Sequence, residues 1–324
     1  MNKRKALIWG IAGQDGSYLA ELLLDKNYDV YGIIRRHSIA ENQDSRINHI
    51  VNLIHTEYGD LLDTSSISHS LSLIKPDYIF SLAAQSHVRV SFDMPLYTFQ
   101  VNALGIFNLL EEYHKICPKA RFLQASSSEM FGNIIDVDGF QRETTPMQPV
   151  NPYGIAKLAA FSAVNHYHRA YGLFTCNSIC FNHTSPRRGT NFICAKIVKT
   201  AVEIKLGLAS KLELGNIDTS RDFGHSKDYV IAMEKIINYT NPDNFVIASG
   251  ETHSIRELCE YVFKKLDLNY ENYIQYNPKY MRSEELQYLK GDASKAKTML
   301  QWQPTYTFYS ILDEMIEYWS NYYA

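Results

Sequence analysis

Ala6-Leu7-Ile8-Trp9-Gly10-Ile11-Ala12-Gly13-Gln14-Asp15-Gly16-Ser17 runs from an apolar strand pattern through three glycines into an amphipathic segment. Glycines in such a turn let the backbone bend tightly and approach a pyrophosphate, whose charge a helix N-terminus favours. The spacing is GxxGxxG, unlike the GxGxxG of most dinucleotide-binding dehydrogenases. Gly10, Ile11, Ala12, Gly13, Gln14, Asp15 and Gly16 are therefore candidate contacts to a cofactor.

Outward from this loop, short β-branched or aromatic runs alternate with longer amphipathic ones. Strands are expected over residues 6–10, 28–34, 53–58, 78–83, 121–126 and 175–181, with helices clearest over 17–24, 96–116 and 152–171. Strand–helix alternation with nearly continuous apolar strands marks a parallel sheet covered on both faces. The fold class is thus α/β, a doubly wound parallel sheet with ligands at the carboxyl ends of its strands. A cofactor domain is expected over 1–183, with a return segment near 220–250. Residues 184–324 should form mainly a smaller α/β lobe over the strand ends.

The second strand ends in Arg35-Arg36, where an NAD enzyme usually carries Asp or Glu for the ribose 2′-hydroxyl. Arginines suit a 2′-phosphate, which points to NADP, although they could instead face solvent or a neighbouring subunit. Asp60 and Leu61 would flank the adenine. Leu82, Ala83, Ala84, Gln85 and Ser86 would run beneath the nicotinamide ribose.

Tyr153 and Lys157 lie four apart on one helix face, where an ammonium is expected to support an ionised, proton-accepting phenol. Ser127, at a strand end, supplies a hydroxyl, and Glu129 follows it closely. Alcohol oxidation needs no carboxylate, but removing a proton from carbon does. The candidate catalytic set is Ser127, Glu129, Tyr153 and Lys157.

The 324 residues, 45% of them hydrophobic, suffice for a full core. A formal charge of −3 argues against nucleic acid or an anionic membrane as main partner. No apolar run approaches the roughly 20 residues of a membrane span, and the first ten residues do not read as a signal peptide. Cys117, Cys176, Cys180, Cys194 and Cys259 lack metal-type pairing and read as buried free thiols, and a cytoplasmic location is expected. Neither the histidines nor the cysteines suggest a metal.

Several blocks carry a resemblance: GIAGQDGSYLAELLL at 10–24, AAQSHVRVSF at 83–92, SSSEMFG at 126–132 and NPYGIAK at 151–157. Further on stand FNHTSPRRGTNF at 181–192, RDFGHSKDY at 221–229 and RSEELQYLKGDASKAKTMLQW at 282–302. Together these resemble the extended short-chain dehydrogenase/reductase superfamily and, more closely, the GDP-mannose 4,6-dehydratases. The resemblance implies a Rossmann domain and a homo-oligomer whose loop near Arg35 and Arg46 reaches a neighbour's cofactor. It also implies cofactor contacts at Tyr97, His183 and Arg188. Nucleotide-sugar contacts would fall on Ser86, Asn182, Lys196, Arg221 and Arg282. The implied reaction is a lyase cycle that converts a GDP-hexose to the GDP-4-keto-6-deoxy sugar. The family's usual Thr is Ser127 here, its Gly-Ala-Gln-Ser is Ala83-Ala84-Gln85-Ser86, and its Asn-His-Glu-Ser-Pro has Thr184 in place of Glu. The last exchange leaves GDP-N-acetylglucosamine and GDP-heptose open beside GDP-mannose. A nucleotide-sugar 4-epimerase or reductase is the other alternative.

Overall fold

A computed structural model describes residues 3–36, 45–281 and 284–324. Its strands are β1 Lys5–Trp9, β2 Asp29–Ile34, β3 His55–Tyr58, β4 Tyr78–Ser81, β5 Arg121–Ser127, β6 Thr175–Cys180, β7 Asn182–Thr184, β8 Leu212–Leu214, β9 Ser220–Arg221, β10 Phe223–His225, β11 Asn244–Ile247, β12 His253–Ser254 and β13 Ile274–Tyr276. The helices are α1 Gln14–Asp25, α2 Thr64–Ile74, α3 Val88–Asp93, α4 Pro95–Phe99, α5 Gly105–Ile116, α6 Pro152–Tyr171, α7 Ile193–Lys205, α8 Ser226–Asn238, α9 Ile255–Lys265, α10 Ser294–Leu300 and α11 Phe308–Tyr323.

Seven strands form one parallel sheet in the order β3-β2-β1-β4-β5-β6-β11. Apolar side chains of α1 and α8 cover one face, and those of α2, α5 and α6 cover the other. That double cover explains why β4 and β6 are buried throughout. The edge strand β3 is exposed along its whole length, and it starts later than its apolar pattern suggests because residues Asn48–Leu53 form a 3₁₀ turn.

Strand order reverses between β1 and β4, which opens a crevice at their carboxyl ends. A third apolar cluster, built from α7, α9 and α11, forms the core of the lobe beside it. Asp222, buried between β9 and β10, accepts from the Ser249 N–H at 2.8 Å, the Ser249 hydroxyl at 2.7 Å and the Gly250 N–H at 2.9 Å. Burial raises this carboxyl to about 6, against the pull of those donors. The single helix expected over 96–116 is instead α4 and α5 joined by a π-helical turn, Gln100–Leu104. Within that turn the Asn102 amide accepts from the Gln85 N–H and donates to the Gln85 carbonyl, both at 2.8 Å. None of the described helices is long and apolar enough to cross a membrane.

Candidate active site

Ser127 ends β5 and caps the 3₁₀ turn Ser128–Phe131, its hydroxyl accepting from the Glu129 N–H at 3.2 Å. This turn sets Glu129 at the sheet's carboxyl end, buried to 5% exposure, where it accepts from the Asn151 side-chain amide at 2.7 Å. Asn151 also caps α6, and Pro152 occupies the first helical position, where a missing N–H costs nothing. The first turns of α6 then carry Tyr153 and Lys157 into the same cleft of about 680 Å³ as Ser127 and Glu129.

The electrostatics depart from the expectation for the Tyr–Lys pair. Burial pushes the Tyr153 phenol well above its ordinary value, and Glu129 adds to this, while a hydrogen bond from Ser127 works against it. Lys157 donates to the Ala125 carbonyl at 2.7 Å, with its ammonium 5.8 Å from the Tyr153 ring centre. Burial lowers Lys157 to about 8. Spacing brings the two side chains together, while burial opposes charge on either.

The glycine loop fits a diphosphate. Gly10 has a φ of +88°, and a Cβ there would lie 2.9 Å from the Ala83 nitrogen. At Gly16 a Cβ would meet the Gly10 carbonyl at 2.3 Å. Gly13 caps α1 without a side chain, so the N-cap residue supplies no side-chain acceptor to the first N–H groups of the helix. Such a cradle favours an anion. Ile11 is wholly buried, Gln14 accepts from Ser185, and Asp15 lies 2.8 Å from His183 Nε2. Arg35 donates to the Tyr97 hydroxyl at 2.6 Å, and the Arg36 guanidinium sits 6.0 Å from the Tyr58 ring centre. Leu82, Ala84 and Ser86 line the cleft, whereas Leu61 belongs to the core. Asp60 accepts from the Leu62 N–H, and Gln85 spends its amide on His87 and Thr98.

Residues 7–315 match a family model described as GDP-mannose 4,6 dehydratase. The chain belongs to that family. It is 46% identical to GDP-mannose 4,6 dehydratase 1 of Arabidopsis thaliana, over 97% of this chain and 89% of that one. Identity to the Homo sapiens GDP-mannose 4,6 dehydratase is 41%, over 96% of this chain and 90% of that one. Among solved structures, UDP-glucose 4-epimerase from Thermotoga maritima with UDP-glucose superposes with a TM-score of 0.87 at 23% identity, covering 99% of this chain and 100% of that one. The dTDP-glucose 4,6-dehydratase of Bacillus anthracis in complex with NAD gives 0.84 at 22%, covering 98% and 97%. At those identities the likeness is one of fold.

Of the side chains that the family resemblance assigns to the nucleotide sugar, Ser86 reaches the cleft after β4, and the other described ones lie across the cleft after β6. Asn182, Lys196 and Arg221 line it, and Arg188 lies there with its guanidinium 3.7 Å from the Phe192 ring centre. The buried Asn182 Oδ1 has no partner among the described residues. Lys196 donates to the Glu213 carbonyl at 2.6 Å, and Arg221 pairs with Glu285 at 3.2 Å. Arg282 lies outside the described residues. Thr184 is 3% exposed, with its hydroxyl 3.7 Å from the Met315 sulfur of α11, so this edge of the cleft is backed by the last helix. Asn151 was not legible as a site residue from function-bearing motifs. Its signal was the helix-start pair Asn-Pro.

Proposed function

We propose that this protein removes water from GDP-mannose and forms the GDP-4-keto-6-deoxy sugar, with NADP as a cofactor that is returned unchanged. The observation that carries this reading is Glu129, a buried carboxylate sharing one cleft with Ser127 and Tyr153. Bound NADP supplies a reversible store for the electron pair taken from C4 and restored at C6. Tyr153 takes the proton of the 4-hydroxyl, and Ser127 holds that oxygen by a hydrogen bond. The 4-ketone makes the C5 proton acidic. Glu129 takes it, then protonates the departing 6-hydroxyl. A 4-epimerase or reductase has no use for this carboxylate. Arg35 and Arg36 stand in sequence at the end of β2, where an NAD enzyme usually carries Asp or Glu, and this supports NADP over NAD.

Leu96, Phe99, Leu104, Phe107 and Ile155 stand exposed on α4, the π turn, α5 and α6. Apolar groups on neighbouring helices support a homo-oligomer.

Deuterium placed at C4 of GDP-mannose should reappear in the product's C6 methyl group, with loss of one water by mass. Deuterium in bulk reduced cofactor, or a product of unchanged mass, would exclude the scheme. GDP-N-acetylglucosamine and GDP-heptose run in parallel test the sugar. Replacing Glu129 with Gln should slow water loss by about 10²–10⁴-fold while C4 oxidation persists. Unimpaired turnover would remove Glu129 from the reaction.

A further inference from the structure

Two proton acceptors must act in sequence on neighbouring positions of one sugar, Tyr153 at the 4-hydroxyl and Glu129 at C5. They come from different elements, α6 and the turn after β5. A single buried amide joins those elements. Asn151, 2% exposed, accepts from the Gly154 N–H through Oδ1 at 2.8 Å and donates through Nδ2 to Glu129 Oε2 at 2.7 Å. A backbone N–H can only donate, so the atom facing Gly154 must be the amide oxygen. The NH₂ group is thereby aimed at the carboxylate. Glu129 Oε1 has no protein partner among the described residues. The backbones are in contact too, since a Cβ at Gly154 would lie 2.6 Å from the Glu129 carbonyl oxygen.

We infer that Asn151 is a positioning residue that holds the Glu129 carboxylate in register with Tyr153, so that one helix cap sets both proton-transfer sites. This rests on the dehydratase reading of the cleft. Its physical content is that one planar group fills two roles. The oxygen starts α6, and the nitrogen supplies a hydrogen bond to a charged acceptor, the stronger kind. The amide leaves Glu129 able to take a proton on its other oxygen. A water or a freely rotating hydroxyl at this place would not fix the carboxylate's plane.

The roles separate with Asn151→Ser, which keeps a capping oxygen for α6 but loses the NH₂ group. A second variant, Asn151→Asp, keeps the shape and the cap but sets one carboxylate against another. Holoenzyme of each is mixed with GDP-mannose in a single turnover, and the absorbance of reduced nicotinamide is followed with water loss. In both variants the absorbance should rise at the wild-type rate and decay roughly 10- to 100-fold more slowly, and Asn151→Ser should keep the wild-type thermal midpoint while the paired carboxylates of Asn151→Asp lower it. Rise and decay slowed equally, with a lowered midpoint, would make Asn151 a cap alone and overturn the proposal, as would wild-type kinetics. A crystal structure of the Asn151→Ser holoenzyme gives a readout independent of turnover. A displaced or doubled Glu129 carboxylate over an unmoved α6 supports the inference, and an unchanged carboxylate sinks it. If wild-type protein loses no water from any GDP-sugar, the dehydratase reading fails, and the crystal structure still decides the placement.

Discussion

Asp15 leaves the glycine loop and meets His183 of β7 at 2.8 Å, while the other ring nitrogen faces the Phe181 carbonyl at 2.8 Å. Burial alone would raise this carboxyl, but His183 and Arg188 outweigh it and hold it at about 2, against 3.8 ordinarily. A depressed carboxyl contributes stability that is fully present above the unfolded value and lost as pH falls through the folded one. The contribution is on the order of 2 kcal/mol for a side chain mostly out of solvent. Wild-type protein should therefore exceed Asp15→Asn in denaturant stability at about pH 5, with the gap closing toward about pH 2. A gap that stays constant across that range would show that the pair contributes no charge-linked stability. Motif spacing marked Asp15 and His183 separately, one in the loop and one by family resemblance. Their contact spans 168 positions, and no local pattern reports it. The same limit applies to Tyr153 and Lys157, whose spacing is readable while their burial depends on elements far along the chain.

Helix α6 shows how far local chemistry reaches. Its cap, its Pro at the first turn and its end at Gly172, with a φ of +67°, were all readable from Asn151, Pro152 and the glycine. The π turn between α4 and α5 was not, because it answers to the hydrogen bonds between Asn102 and Gln85, a partner outside the helix. Gly154 is a case where packing overrides helix propensity. Alanine is the better helix former, yet its methyl carbon would sit 2.6 Å from the Glu129 carbonyl. Gly154→Ala should destabilise by about 1–3 kcal/mol in chemical denaturation and should slow water loss, because α6 or the turn has to shift. A more stable Gly154→Ala protein would mean that the contact relaxes without cost.

Across the whole molecule, the seven-stranded sheet was the most legible feature, since its buried strands carry their apolar character locally. The lobe was least legible. Its two-residue and three-residue strands are held by distant partners, as β9 is by β12 and β8 by β13. The outer face of α4 and α5 belongs to this scale too, with Leu96 at 79% exposure. Phe107→Asp should weaken self-association about 30-fold or more, read as a fall in mass by light scattering. An unchanged multimeric mass would place the interface elsewhere, and a monomeric wild type would exclude the proposed homo-oligomer. Thr184 against Met315 has a consequence for synthesis on the ribosome. Six sheet strands and the four candidate catalytic residues emerge before residue 181, but Thr184, on the strand bearing Asn182, lacks its contact with α11 until Met315 has been made. Chains that stop between residues 250 and 307 should therefore bind the dinucleotide yet turn over far more slowly than chains that include α11.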